Sequence, residues 1–193
     1  MFKTFKRFLL FFSLITTSIS YGQKREIERR VNEENVPKEA KIWFKDAYEG
    51  KNKVKWYFQT DGEKEVYEAK LKWNKKWHSV EFLPTGEIKN IEILINIKEL
   101  PKEVHDNLIQ YLSENYQKYK LDRIQIQYTG QSDDLEDLIN ENEQSNSLMK
   151  IYEIEYFGRE KGINKMWEAH FDKNGYFIEK RIIQLNSTDV LDF

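Results

Sequence analysis

The sequence predicts an α+β protein in which a helix followed by a four-stranded antiparallel sheet occurs twice in tandem, with the helices on one face of the sheet. Three observations predict it. Two segments open alike, Val36-Pro37-Lys38-Glu39-Ala40 and Leu100-Pro101-Lys102-Glu103-Val104. After each opening the apolar period changes from that of a helix to that of a strand. Each copy then ends its third strand in a Phe-x-x-x-Gly turn, Phe82 to Gly86 and Phe171 to Gly175.

Residues 1–22 read as a secretory signal peptide. Lys3, Lys6 and Arg7 precede an apolar run from Phe8 to Ile19, followed by a small and polar stretch. The run is too short for a bilayer core, which needs roughly twenty residues. A buried N-terminal helix is the other reading, but no polar stripe interrupts Phe8-Leu9-Leu10-Phe11-Phe12. Ser20 and Gly22 place cleavage after Gly22, and losing three cations takes the formal charge from −2 to −5. Residues 23–35 follow as a charged N-terminal segment.

Repeat 1 spans residues 36–97. Pro37 suits a helix start, where its missing N–H costs nothing, and Glu39 sits near the positive end of the dipole. Ala40, Trp43, Phe44, Ala47 and Tyr48 share one helix face, and Gly50 reads as a stop. Val54, Trp56 and Phe58 then alternate with Lys55, Tyr57 and Gln59. Tyr67, Ala69, Leu71 and Trp73 alternate with Glu68, Lys70 and Lys72, and His78, Val80 and Phe82 with Trp77, Ser79 and Glu81. A fourth strand leaves through Ile88 to Ile95.

Repeat 2 spans residues 98–193 in the same order. Val104, Leu108, Tyr111, Leu112 and Tyr116 form the helix stripe. Ile124, Ile126 and Tyr128 mark the first strand, Tyr152, Ile154 and Tyr156 the second, and Trp167, Ala169 and Phe171 the third; Phe177 to Leu185 form the fourth. The fourth strands alternate poorly in both copies, which leaves their facing open. An acidic insertion, residues 130–147, breaks the symmetry. Leu135, Leu138 and Ile139 allow it a short helix from Ser132, and its role is open between a solvated connection, a calcium site and a docking element. The regular spacing and glycine of an EF-hand loop are missing.

Composition narrows the function. With no cysteine there is no disulfide framework, thiolate metal site, thiol nucleophile or lipid-anchored cysteine. A mature chain at −5 without a basic stripe lacks the footprint of a nucleic-acid binder, and stable membrane insertion after signal cleavage is not expected. The expected location is the periplasm or the medium.

The order of elements resembles the PepSY-like proteins grouped with the beta-lactamase inhibitor protein. The matching residues are Val36-Pro37, Val54 to Trp56, Val66 to Leu71 and Phe82 to Gly86, then Leu100-Pro101, Ile124 to Tyr128, Ile151 to Tyr156 and Phe171 to Gly175. The resemblance implies an exported, non-enzymatic α+β protein whose sheet faces a partner, with a role in inhibiting or regulating a hydrolase. The absence of cysteine departs from that inhibitor.

Catalytic residues are expected to be none, and so are metal ligands and cofactors. His78, His105 and His170 form no metal-binding pair, and hydrolase elbows, phosphate loops and dinucleotide fingerprints are missing. Binding has more support. If the apolar sets face the helices, the opposite sheet face is polar except at Tyr57, Trp77 and Met166, the candidate contacts to a protein partner. The competing reading is that an adjoining loop, the N-terminal segment Lys24 to Asn35 or the second repeat covers these residues. An envelope structural or carbohydrate-binding module is the alternative function, with a small periplasmic enzyme behind it.

Overall fold

The computed structural model describes residues 23–184, apart from residues 25, 50–52, 63 and 142–144. The signal segment expected at residues 1–22 lies outside the described residues. The chain runs β1 (Gln23–Lys24), β2 (Glu26–Val31), α1 (Lys38–Ala47), β3 (Lys55–Asp61), β4 (Lys64–Trp73), β5 (Lys76–Phe82), β6 (Ile88–Leu94), α2 (Lys102–Asn115), β7 (Lys118–Thr129), α3 (Ser132–Asn140), β8 (Met149–Glu160), β9 (Ile163–Phe171) and β10 (Phe177–Ile183). The architecture is α+β, dominated by sheet.

Each long helix starts by the same means. A short 3-10 turn, Glu33–Asn35 or Ile97–Glu99, leads to an extended proline, Pro37 or Pro101, immediately before the first helical residue. Proline there gives up a backbone donor that a helix start leaves unpaired anyway. The two Phe-x-x-x-Gly turns press on these starts. Gly86 has φ +93°, and a Cβ on it would lie 2.8 Å from Glu39 Cβ; Gly175 has φ +86°, and its Cβ would lie 2.7 Å from the Val104 carbonyl oxygen. Both conformation and space therefore require glycine at the two turns.

The strands form one sheet in the order β1-β10-β9-β8-β7-β6-β5-β4-β3-β2. Every pairing is antiparallel except β1 with β10, which is parallel. Alternation sends Ala69, Val80, Ile91 and Tyr128, which neighbour one another across β4 to β7, to the helix face, where they pack with Trp43, Phe44, Leu135 and Ile139. Ile124, Ile154, Trp167, Ala169 and Phe171 do the same beneath Val104, Leu108 and Leu112 of α2. The acidic insertion supplies α3, whose Leu135 and Ile139 are buried, and Trp43 Nε1 donates to the Ser132 carbonyl at 3.3 Å. It is thus packed against α1 rather than wholly solvated.

The sheet curls strongly away from the helices. β1 pairs with β10 and β2 with β3, so these two short N-terminal strands form the opposite edges of the sheet. Side chains record the same curl. Arg181 Nη1 of β10 donates to Asp61 Oδ2 of β3 at 2.6 Å, although six strands separate β10 from β3 within the sheet.

Candidate functional site: the concave polar face

Strand register lays the polar residues out in rows. Tyr57, Glu68, Glu81 and Asn90 are neighbours across β3 to β6, and Lys70, Ser79, Glu92 and Gln127 across β4 to β7. Leu94, Gln125, Glu153, His170 and Glu179 follow across β6 to β10, then Arg123, Glu155, Glu168 and Arg181 across β7 to β10. Because the sheet curls, this face is a hollow of about 1490 Å³ rather than a flat surface. Its floor is buried, including Glu68, Glu81, Glu153, Glu155 and Glu168.

Burying carboxylates demands partners. Ser79 and Lys70 serve Glu68, whose carboxyl is nonetheless pushed upward by burial. Lys89 Nζ lies 2.5 Å and Asn90 Nδ2 2.9 Å from Glu81 Oε2. Arg123 lies 3.6 Å from Glu155, and Arg181 Nε donates to Glu168 at 2.5 Å. Glu92 differs: its carboxylate accepts from Gln125 Nε2 at 2.9 Å and Gln127 Nε2 at 3.0 Å, both neutral amides. Burial, then the neighbouring charges of Glu153 and Glu81, push its carboxyl well above the ordinary range.

His170 stands at the meeting of three acids. Its Nε2 lies 3.2 Å from Glu153 Oε2 and 3.9 Å from Glu168 Oε1, and its Nδ1 lies 3.2 Å from Glu179 Oε1. Burial pulls its pKa down, but the hydrogen bond to Glu153 and the charges of Glu153, Glu168 and Glu179 outweigh burial and raise it. One ligand atom each from Glu153, Glu168 and His170 falls within 4.8 Å of the others, a set of donor types suited to a divalent ion. Both carboxylates already have partners within the protein, the His170 ring beside Glu153 and Arg181 beside Glu168.

The expected contacts lie in different surroundings. Trp77 is 53% exposed and lines the hollow beside Leu94. Tyr57 is half-buried, with Lys70 Nζ 4.9 Å from its ring centre. Met166, expected as an apolar exception open to a partner, is only 9% exposed; it pairs with Phe157 and lies outside the residues lining the hollow. His78 faces the helices, where Tyr48 shares a 3.0 Å hydrogen bond with its Nδ1. Burial, helped by Lys76, lowers its pKa to about 4. His105 is an exposed helix residue beside Asp106. Sequence reasoning missed Asn90, Glu92, Arg123 and Arg181; the signal that could have found them is polar residues two apart on the same strands, Asn90 with Glu92 above all.

Fold and site together define an α+β protein with helices on the convex side of a curled antiparallel sheet and an acidic polar hollow on the concave side. No family model matches the chain, and no curated protein matches it in sequence. Solved structures do. A DUF2874 family protein from Bacteroides ovatus superposes with a TM-score of 0.54 at 15% identity, covering 77% of this chain and 88% of that one. A Bacteroides eggerthii protein described as periplasmic gives 0.52 at 14% identity, covering 76% and 88%. A BLIP-like protein from Bacteroides fragilis gives 0.49 at 15% identity, covering 80% and 92%. At these identities the likeness to the first two is one of fold.

Proposed function

We propose that the chain is an exported binding protein that captures a protein partner on the concave face of its sheet and thereby regulates a periplasmic or secreted hydrolase. The observation that carries this reading is the hollow itself, which sets an exposed Trp77 at the rim of a polar floor. Exposed aromatic anchors next to buried polar groups are what recognition surfaces use. Export is supported by the signal-like residues 1–22 and by likeness of fold to a protein described as periplasmic. The PepSY-like and tandem-repeat readings belong to the same proposal, supported by the recurring proline starts and by the two glycine turns pressed on them.

Tyr57 and Trp77 carry the prediction. Replacing both by Ala is expected to abolish capture of a partner from an envelope extract while circular dichroism stays unchanged. Partner capture at the wild-type level by the double variant would refute the reading.

A further inference from the structure

We propose that the centre of the concave hollow receives the basic head of a lysine or arginine side chain presented by the partner protein. This rests on the binding reading above and adds the chemistry of what enters. Two independent observations point to it.

The first is an acid with no basic side chain beside it among the described residues. Glu68, Glu81, Glu153, Glu155 and Glu168 each stand beside a basic side chain: Lys70, Lys89, His170, Arg123 and Arg181. Glu92, between Glu81 and Glu153 on the same face, is held by two glutamine amides, which satisfy hydrogen bonds and carry no charge. The second is a buried acceptor without a donor. Asn90, two residues along β6 and on the same face, is 4% exposed; its amide nitrogen donates to Glu81, and its Oδ1 has no partner among the described residues. Gln59 Oε1, also lining the hollow, is in the same position. A group that carries positive charge and several N–H donors answers both needs. An ammonium offers three and a guanidinium five.

The rim selects an organic cation with an aliphatic stem. Trp77 and Leu94 flank the paired residues His78 and Ile93 of β5 and β6, and both are exposed and line the hollow. Leu94 and Glu92 are two residues apart on one face of β6, about 7 Å along a strand. A lysine or arginine stem spans that distance, lying on Leu94 and Trp77 with its head at Glu92. Trp77 adds a face for cation–π contact.

The test uses residues 23–193 of the chain and two short peptides, acetyl-Gly-Ser-Arg-Ser-Gly-amide and the same peptide with citrulline, which keeps the shape and loses the charge. In an NMR titration the arginine peptide should shift the side-chain amide signals of Gln125, Gln127 and Asn90. The citrulline peptide should bind at least tenfold more weakly, and Glu92→Gln should weaken the arginine peptide at least tenfold. Glu92→Gln keeps the side-chain shape, and unchanged backbone signals verify its fold. Equal binding of the two peptides, or wild-type affinity in Glu92→Gln, overturns the inference. If Tyr57→Ala with Trp77→Ala loses partner capture while Glu92→Gln keeps it, the binding reading stands and this one falls. If the peptides behave as expected and no partner is captured, the basic-group site stands and the capture reading falls.

Discussion

The two faces of the sheet bury their residues by different physics, and neighbours on one strand show it. Trp167 and Glu168 are consecutive in β9, each 1% exposed. Trp167 is covered by α2 and lies among Leu108, Tyr116 and Tyr156, where packing supplies the stability. Glu168 points the other way, into a hollow with no layer over it, and is covered by the curl of the sheet and held by Arg181. The helix face is apolar and holds its few polar groups in hydrogen-bonded pairs such as Tyr48 with His78; the concave floor is polar and sets most of its acids beside basic side chains.

Truncation on the dry face should have the largest effect. Trp167→Ala is expected to cost about 3–5 kcal/mol in urea unfolding, the range for deleting a large buried ring. Glu168→Gln, one residue away, keeps the volume and a hydrogen-bonding oxygen and is expected to cost about 1–3 kcal/mol. If the two cost the same, the contrast between packing and charge pairing is wrong.

The histidines sharpen the comparison in pH. His78 on the dry face titrates near 4, below the ordinary value of 6.5, so between these values the unfolded chain holds the extra proton. The stability it contributes is therefore complete above pH 6.5 and is lost as pH falls toward 4, on the order of 2 kcal/mol over that window. His170 on the concave face is raised, so its contribution is complete below pH 6.5 and is lost as pH rises through its folded value. Urea unfolding across pH should show His78→Phe flattening the acid limb and His170→Gln flattening the decline above pH 6.5. The same limb altered in both variants would contradict their placement on opposite faces.

Much of this was legible in the sequence where period 2 runs undisturbed. β4, β5, β8 and β9 put Glu68, Ser79, Glu81, Glu153, Glu155, Glu168 and His170 on the polar face, as their alternation predicts. β6 and β10 were the strands left open, and both carry irregular register against their neighbours, between Glu81 and Phe82 and between Phe177 and Glu179. A bulge inserts an extra residue and breaks the alternation, which hid Asn90, Glu92 and Arg181. Curvature was not legible at all. Alternation says which face a residue takes and is silent on whether that face is flat or folded inward, so the acids read as surface residues. The N-terminal segment supplies β1 and β2, which extend the sheet along its two edges.

The smallest expected effect tests that curl. Asp61 and Arg181 join distant strands at 2.6 Å, both partly open to water, with Arg181 also held by Glu168. A partly exposed ion pair contributes little, so Asp61→Asn is expected to cost about 1 kcal/mol or less. Its signature should be positional rather than global. Removing one of two acids from Arg181 loosens the contact between β3 and β10, so amide exchange should quicken in β10 and in the β3–β4 turn. Amides of β7 and β8, in the middle of the sheet, should keep their protection. Uniform acceleration would mean that the concave face depends on this one contact to stay folded inward; unchanged exchange in β10 would mean that backbone pairing with β1 and β2 holds the curl without it.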